Sequence, residues 1–225
     1  MGSLGQPILF LLALGYGFGA VFQEAGQGNY LQFIAPGVIA MSILFTAIFG
    51  GIEVIWDKQF GFLKETLVAP VARWQIMLGR TLGGATVAVM QGLIVLILSI
   101  IFGFRPLFSH LILAVIFMFM MAVLFTALGT AIASVLNDMQ GFQLIMNFLV
   151  MPMFFLSGSL FPLEGLPKAL TIVTRVNPMT YTVDGIRGTL MNMNHFSLWS
   201  DFLVVTIIAL IFLGAGSYLF SKIEA

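Results

Sequence analysis

Residues 106–137 read PLFSHLILAVIFMFMMAVLFTALGTAIASVLN, without one Asp, Glu, Lys or Arg. A helix needs about 20 mostly apolar residues to cross a bilayer, so this stretch is long enough to span. In lipid every backbone N–H and C=O must be satisfied within the segment, which makes the stretch a helix. It also lacks the alternating polarity of a barrel strand. Working outward, five more uncharged runs flank it, at 1–23, 25–52, 81–104, 139–163 and 202–221. Each suffices for a span, so the chain is expected to be an all-α integral membrane protein with six transmembrane helices. Six spans use about 120 residues, leaving connections and no room for a separate soluble domain, so 1–225 is expected to form one domain. Composition agrees. Of 225 residues 60% are hydrophobic and 18 are charged, nine basic and nine acidic, against roughly 25% charged in a soluble domain. In water such a chain would leave large apolar patches exposed.

The same composition excludes several functions. The formal charge is zero and no basic cluster is dense enough to track a nucleic-acid backbone, so no nucleic-acid partner is expected. The absence of Cys rules out disulfides and thiol catalysis. No phosphate-binding loop, HExxH pair or kinase-type glycine loop occurs, so the chain is expected to be no enzyme, to have no nucleotide or metal site of its own, and to need no cofactor. The first run lacks a basic leader and reads as a span, not a signal peptide. Ser157-Gly158-Ser159 beside Phe161-Pro162 reads as a turn, and His195 among Asn192, Asn194 and Ser197 as a solvated loop residue, so a membrane protease is not expected.

No uncharged run carries an ionisable group at its middle, which argues against an ion-coupled secondary carrier. Neutral polar residues do occur there: Gln91, Gln140, Gln143 and Asn147. They can hydrogen-bond neighbouring helices, and Gln91, Gln143 and Asn147 are candidates for lining a translocation path. The glycines at 15–19 and 79–84 read as close helix packing. The 23 Phe and 14 Met suit an adaptable surface for a hydrophobic or amphipathic cargo.

Two connections differ from the rest. Residues 53–80 hold seven of the 18 charges (Glu53, Asp57, Lys58, Lys64, Glu65, Arg73, Arg80) alongside Ile55, Trp56, Phe60, Phe62, Leu63, Leu67 and Val68. This predicts an amphipathic elbow: the second span running past Trp56, a break at Gly61, a short helix over 62–68 and a restart at Pro70. Residues 157–200 are punctuated by Pro162, Pro167 and Pro178, predicting short helices over 167–176 and 178–191, with Asn177 as N-cap of the second. Leu170, Val173 and Val176 form an apolar stripe on the first, while Glu164, Lys168, Arg175 and Arg187 bar a full span. With the elbow in the cytoplasm, five basic residues lie inside against four outside, a weak bias in that direction.

Three stretches carry a family resemblance. The first is Phe60-Gly61-Phe62-Leu63-Lys64-Glu65-Thr66-Leu67-Val68-Ala69-Pro70-Val71-Ala72-Arg73-Trp74, continuing to Leu78-Gly79-Arg80. The second is Leu156-Ser157-Gly158-Ser159-Leu160-Phe161-Pro162, and the third Asn177-Pro178-Met179-Thr180-Tyr181 followed by Asp184-Gly185-Ile186-Arg187. In this order and spacing the chain resembles the membrane (permease) subunit of type-2 ABC transporters, the group that includes daunorubicin-type multidrug exporters. One departure stands at the amino end: members begin with a basic amphipathic helix, whereas here the apolar run starts at Met1-Gly2-Ser3.

The resemblance implies a cytoplasmic coupling helix docking into a separate ATP-binding cassette ATPase, with Phe62, Leu63 and Leu67 as apolar anchors and Lys64, Glu65 and Arg73 setting register. ATP and Mg would be bound in that partner. It further implies an extracytoplasmic re-entrant helical hairpin marked by Pro162, Pro167, Asn177, Pro178 and Tyr181, a second permease copy forming a homodimer, and a multi-pass plasma-membrane protein with both termini in the cytoplasm. The expected function is export of a drug-like, lipid or glycan substrate. The alternatives are an ion-coupled secondary carrier and a non-transporting membrane assembly component.

Overall fold

The computed structural model describes residues 2–19, 29–62 and 70–222, and all regular structure among them is helical. Helix α1 spans Gly2–Gly17, α2 Tyr30–Phe49, α3 Ile52–Gln59 and α4 Arg73–Ile101. After a single 3-10 turn at Phe108–His110 come α5 (Leu111–Val135), α6 (Met139–Phe155), α7 (Lys168–Val176), α8 (Pro178–Met191) and α9 (Leu198–Ser221).

Among the described residues, four segments are long and apolar enough to cross a membrane: Tyr30–Gln59, which joins α2 and α3, Arg73–Ile101, Phe108–Val135 and Leu198–Ser221. The chain is thus a multi-pass membrane protein. Helices α1 and α6 are apolar but shorter. At 1.5 Å per residue the 17 residues of α6 rise about 25 Å, less than the roughly 30 Å hydrocarbon core. Pro152 stands in the last turn of α6 and the chain turns at Gly158 (φ +79°), so the helix ends well before the uncharged run does.

Helix α2 is the centre of the bundle. Ile34, Ile39, Ile43, Leu44 and Ile48 are fully buried against α1, α4 and α5, whereas α9 lies along α5 and turns Leu203, Ile207, Leu210 and Ile211 outward. An apolar residue facing outward from such a helix faces hydrocarbon, so it needs no burial in protein. Backbone meets backbone between α2 and α5, where Gly129 lies on the carbonyl of Ile48 and the carbonyl of Gly129 fills the place a side chain would take on Gly51. Only glycine permits that approach. Of the glycines read as packing residues, Gly15 meets Leu31 and Gly84 meets Thr126, while Gly17, Gly19, Gly79 and Gly83 face open space within the chain.

The expected restart at Pro70 is displaced. Ala72 is extended (ψ 137°), its N–H donates to Gln75 Oε1 at 3.2 Å, and α4 begins at Arg73. A side-chain acceptor three residues on, which satisfies a backbone donor ahead of the first turn, fixes this start more strongly than proline does. The break at Gly61 is observed (φ +81°), and the short helix expected over 62–68 lies outside the described residues beyond Phe62.

Candidate functional site

Hydrogen bonds define two ends of the bundle. At the elbow end, α3 is wired to the neighbouring connections. Lys58 Nζ donates to three carbonyls that α5 and its C-terminus present, Ala133 (3.1 Å), Ser134 (2.6 Å) and Leu136 (3.0 Å). A cation among the unsatisfied carbonyls of a helix C-terminus also meets the negative end of the dipole. Gln59 Nε2 donates to Asn137 O at 3.1 Å, and Trp56 Nε1 lies 2.8 Å from Met139 Sδ. Arg80 of α4 pairs with Asp57 of α3, and Arg73 Nη1 donates to Ser221 O at the end of α9 at 2.9 Å. Asp138 caps α6, accepting from Gly141 N–H at 2.6 Å.

Of the residues expected to couple to an ATPase, Phe62 is exposed and Arg73 is held against α9. Leu63, Lys64, Glu65 and Leu67 lie outside the described residues. Beneath the elbow, Glu53, Arg80, Thr46, Thr126 and Thr130 line a cavity of about 200 Å³ between α2, α3, α4 and α5. The Thr126 hydroxyl is buried there without a hydrogen-bond partner among the described residues.

The hairpin end is built on α8, whose residues from Met179 to Tyr181 onward begin behind the predicted cap: Asn177 Oδ1 accepts from Met179 N–H at 3.0 Å, with Pro178 in the first turn. Asn177 Nδ2 also donates to Met153 O at 2.7 Å, tying the cap to α6. Tyr181 Oη donates to Arg175 O at 2.7 Å, locking α8 to α7, and its ring stacks on Phe196. Pro167 directly precedes α7, within one residue of the expected start, and its carbonyl accepts from Thr171 N–H at 3.0 Å. Leu170, Val173 and Val176 do form one stripe on α7, exposed within this chain. The turn at 157–159 lies on Gly37 of α2, where the Ser159 carbonyl occupies the side-chain position. Tyr30 Oη donates to Leu160 O at 2.9 Å.

Three ionisable residues gather here that periodicity alone did not single out as a group. Asp184 accepts from the backbone N–H groups of His195 (2.8 Å) and Phe196 (2.7 Å), closing the loop after α8. Arg187, one turn further on, is 7% exposed; its Nη2 donates to Gly158 O at 2.8 Å and its guanidinium lies 4.2 Å over the Phe33 ring. Burial lowers its pKa to about 10, partly opposed by Asp184, so it remains a cation at neutral pH. Asp201 in the first turn of α9 is fully buried, with its carboxyl against that of Asp184. The spacing of Asp184 and Arg187 on a helix with few other charges was the available signal. His195 is exposed, as expected of a loop residue.

The neutral polar residues do not converge within one chain. Gln143 and Asn147, four apart on α6, are exposed on one face with Leu144 and Phe148, while Gln91 is half-buried on α4. Helix α6 lies against α2, α3 and α8, without extensive contact to α4.

A sequence model of the ABC-2 type transporter family matches residues 1–191. The chain is 30% identical over 190 residues to a Cyanophora paradoxa protein named as a transport permease, ycf38, covering 81% of this chain and 64% of that one. It is 26% identical over 193 residues to nodulation protein J of Rhizobium leguminosarum bv. viciae (85% and 74% covered), and 28% identical over 204 residues to the inner membrane transport permease YadH of Escherichia coli K12 (89% and 79%). With the motifs of the elbow, the 156–162 turn and the 177–187 helix all inside the matched span, the chain belongs to the ABC-2 type transporter family and is a membrane permease subunit of an ABC transporter.

Proposed function

We propose that this permease exports a hydrophobic or amphipathic substrate, drug-like, lipid or glycan, through a path built by two copies of the chain and driven by a separate ATP-binding cassette ATPase that binds ATP and Mg. In this reading α1 and α6 complete six spans, both termini and the elbow face the cytoplasm of the plasma membrane, and α7 and α8 form a re-entrant hairpin on the opposite side. Wiring of the elbow is the observation that carries it. A motor outside the membrane can drive the spans only through a rigid element reaching them, and α3 is fixed to α4, to the α5–α6 connection and, through Arg73 of α4, to the end of α9. Closure of the ATPase would then bias a two-state arrangement of the spans.

Phe62, Leu63 and Leu67 would anchor the ATPase, with Lys64, Glu65 and Arg73 setting register. The exposed face bearing Gln143 and Asn147 would look onto the path between copies, with Gln91 on α4 as a further candidate. Co-purification tests the central claim. Leu63→Asp and Leu67→Asp should each abolish recovery of the ATPase with the permease while leaving membrane insertion intact. Undiminished recovery in both variants would refute the docking role.

A further inference from the structure

Helix α7 wears its polarity inside out. A helix packed on protein and facing water buries its apolar side, yet here Thr174 is buried and Thr171 half-buried, with their hydroxyls bonded back to the carbonyls of Thr171 (3.0 Å) and Pro167 (3.3 Å). Leu170, Ile172, Val173 and Val176 turn outward, Ile172 64% and Val176 75% exposed. Lys168 and Arg175, seven residues apart and so on one strip of the helix, border that face, exposed and without an ion pair among the described residues. Apolar residues on the outer face with cations along its edge suit a helix lying in the membrane interface, its charges reaching the head-group layer.

Neighbouring aromatic residues set its depth. Tyr181 Oη donates to Arg175 O near the end of α7, and the Tyr181 ring stacks on Phe196 with centroids 5.1 Å apart. Phe196 leads directly into α9, whose first turn carries Trp199 outward, 68% exposed. Tyr and Trp favour the level of the head groups. The outer face of α7 therefore meets lipid where a span begins.

That face is not flat. Ile172, Val173 and Val176 of α7, with Pro152, Met153 and Leu156 at the end of α6, line a cavity of about 420 Å³ open to the outside. Asn177, the polar residue in its wall, has both ends of its amide engaged: Oδ1 accepts from Met179 N–H and Nδ2 donates to Met153 O. A cavity of ligand size without a spare polar side chain selects hydrocarbon.

We propose that the cavity between α6 and α7 holds one acyl chain of a bilayer phospholipid. It recognises the chain and not the head group. The site goes beyond the permease reading, since it holds on whichever side of the membrane the hairpin lies and requires neither an ATPase nor a cargo.

The chain has no Cys, so a thiol-reactive fluorophore reports one position at a time. Val176→Cys and, as control, Glu164→Cys are labelled with bimane in the full chain, in phosphatidylcholine nanodiscs. Phosphatidylcholine brominated at mid-chain should quench the label at 176 at least threefold more than that at 164, and aqueous iodide should do the reverse. Mass spectrometry of the intact chain, released from the nanodiscs into detergent, should show one phospholipid retained per chain, with phosphatidylcholine and phosphatidylglycerol retained equally to within twofold. Val173→Trp, which fills the cavity, and Val176→Asp, which makes it hostile to hydrocarbon, should each lower that occupancy at least fivefold. A label at 176 reached by iodide would place the face in water, and one reached by neither quencher would place a second copy of the chain on it. Either result, retention of phosphatidylglycerol alone, or occupancy unchanged in both variants would overturn the site. Those outcomes would leave elbow docking to an ATPase untouched.

Discussion

The two ends of this bundle handle charge in opposite ways. At the elbow end Lys58, Arg73, Arg80, Asp57 and Asp138 all have partners, mostly backbone groups at helix termini or connections. At the hairpin end Asp184 accepts from two amides and lies against the buried carboxyl of Asp201, and Arg187 keeps a buried Nε–H without an acceptor among the described residues. Structures satisfy buried polar groups where stability alone is at stake, and exceptions concentrate where something else binds or moves. The elbow thus has the character of a frame whose ion pair stays within reach of water, while the hairpin end buries its charges together.

The frame rests on backbone contact, so its largest expected weakness is steric. Gly129→Leu would push a side chain into the Ile48 backbone, which cannot rotate away. It should cost about 3 kcal/mol or more, read as a lowered unfolding midpoint in mixed micelles. Gly79→Leu, which meets nothing within 4 Å, is the control and should cost far less.

Charge removal should then separate the ends. Lys58→Met leaves three carbonyls around the α5 C-terminus without their donor and should cost about 2 kcal/mol. Asp184→Asn turns part of an acceptor into a donor facing two amides and should cost about the same. Asp201→Asn should cost nothing or stabilise, because Asp201 is buried beside the Asp184 carboxyl and an amide there removes one of two like charges from an apolar site. A loss for Asp201→Asn as large as that for Asp184→Asn would mean that Asp201, like Asp184, is held by hydrogen bonds its ionised form accepts.

Much of this layout was legible in the sequence, for reasons that differ by residue. The α8 start at Asn177-Pro178 is local chemistry, a side-chain acceptor two residues from its donor, and it stands where it was expected. Uncharged runs were a poorer guide to helix length. They measure distance between charges, so 139–163 overran an α6 that stops at Phe155, and 1–23 overran an α1 that stops at Gly17. The α4 start failed for a third reason, since Gln75 reaching back to Ala72 outweighed Pro70. Lys58 and Arg187 were visible only as charges, in a polar loop and in a segment barred from spanning. Their partners lie 75 to 78 residues away for Lys58 and 29 for Gly158, a separation that no local pattern encodes.

The smallest expected effect bears on the same contrast through its response to salt. Asp57 and Arg80 join α3 to α4 with side chains 28% and 21% exposed, a pair that water and ions can reach. Partly exposed pairs contribute roughly 0.2–1 kcal/mol. Asp57→Asn should therefore lower stability by about 0.5 kcal/mol at low ionic strength, and the difference from the parent should vanish near 1 M salt, where the screening length falls to about 3 Å. Asp184→Asn should keep its deficit at every salt concentration, because the contacts it loses are buried hydrogen bonds to fixed amides. A Asp57→Asn deficit that survives high salt would mean that the elbow is held by buried, desolvated charge as the hairpin end is, and the two ends would no longer differ in kind.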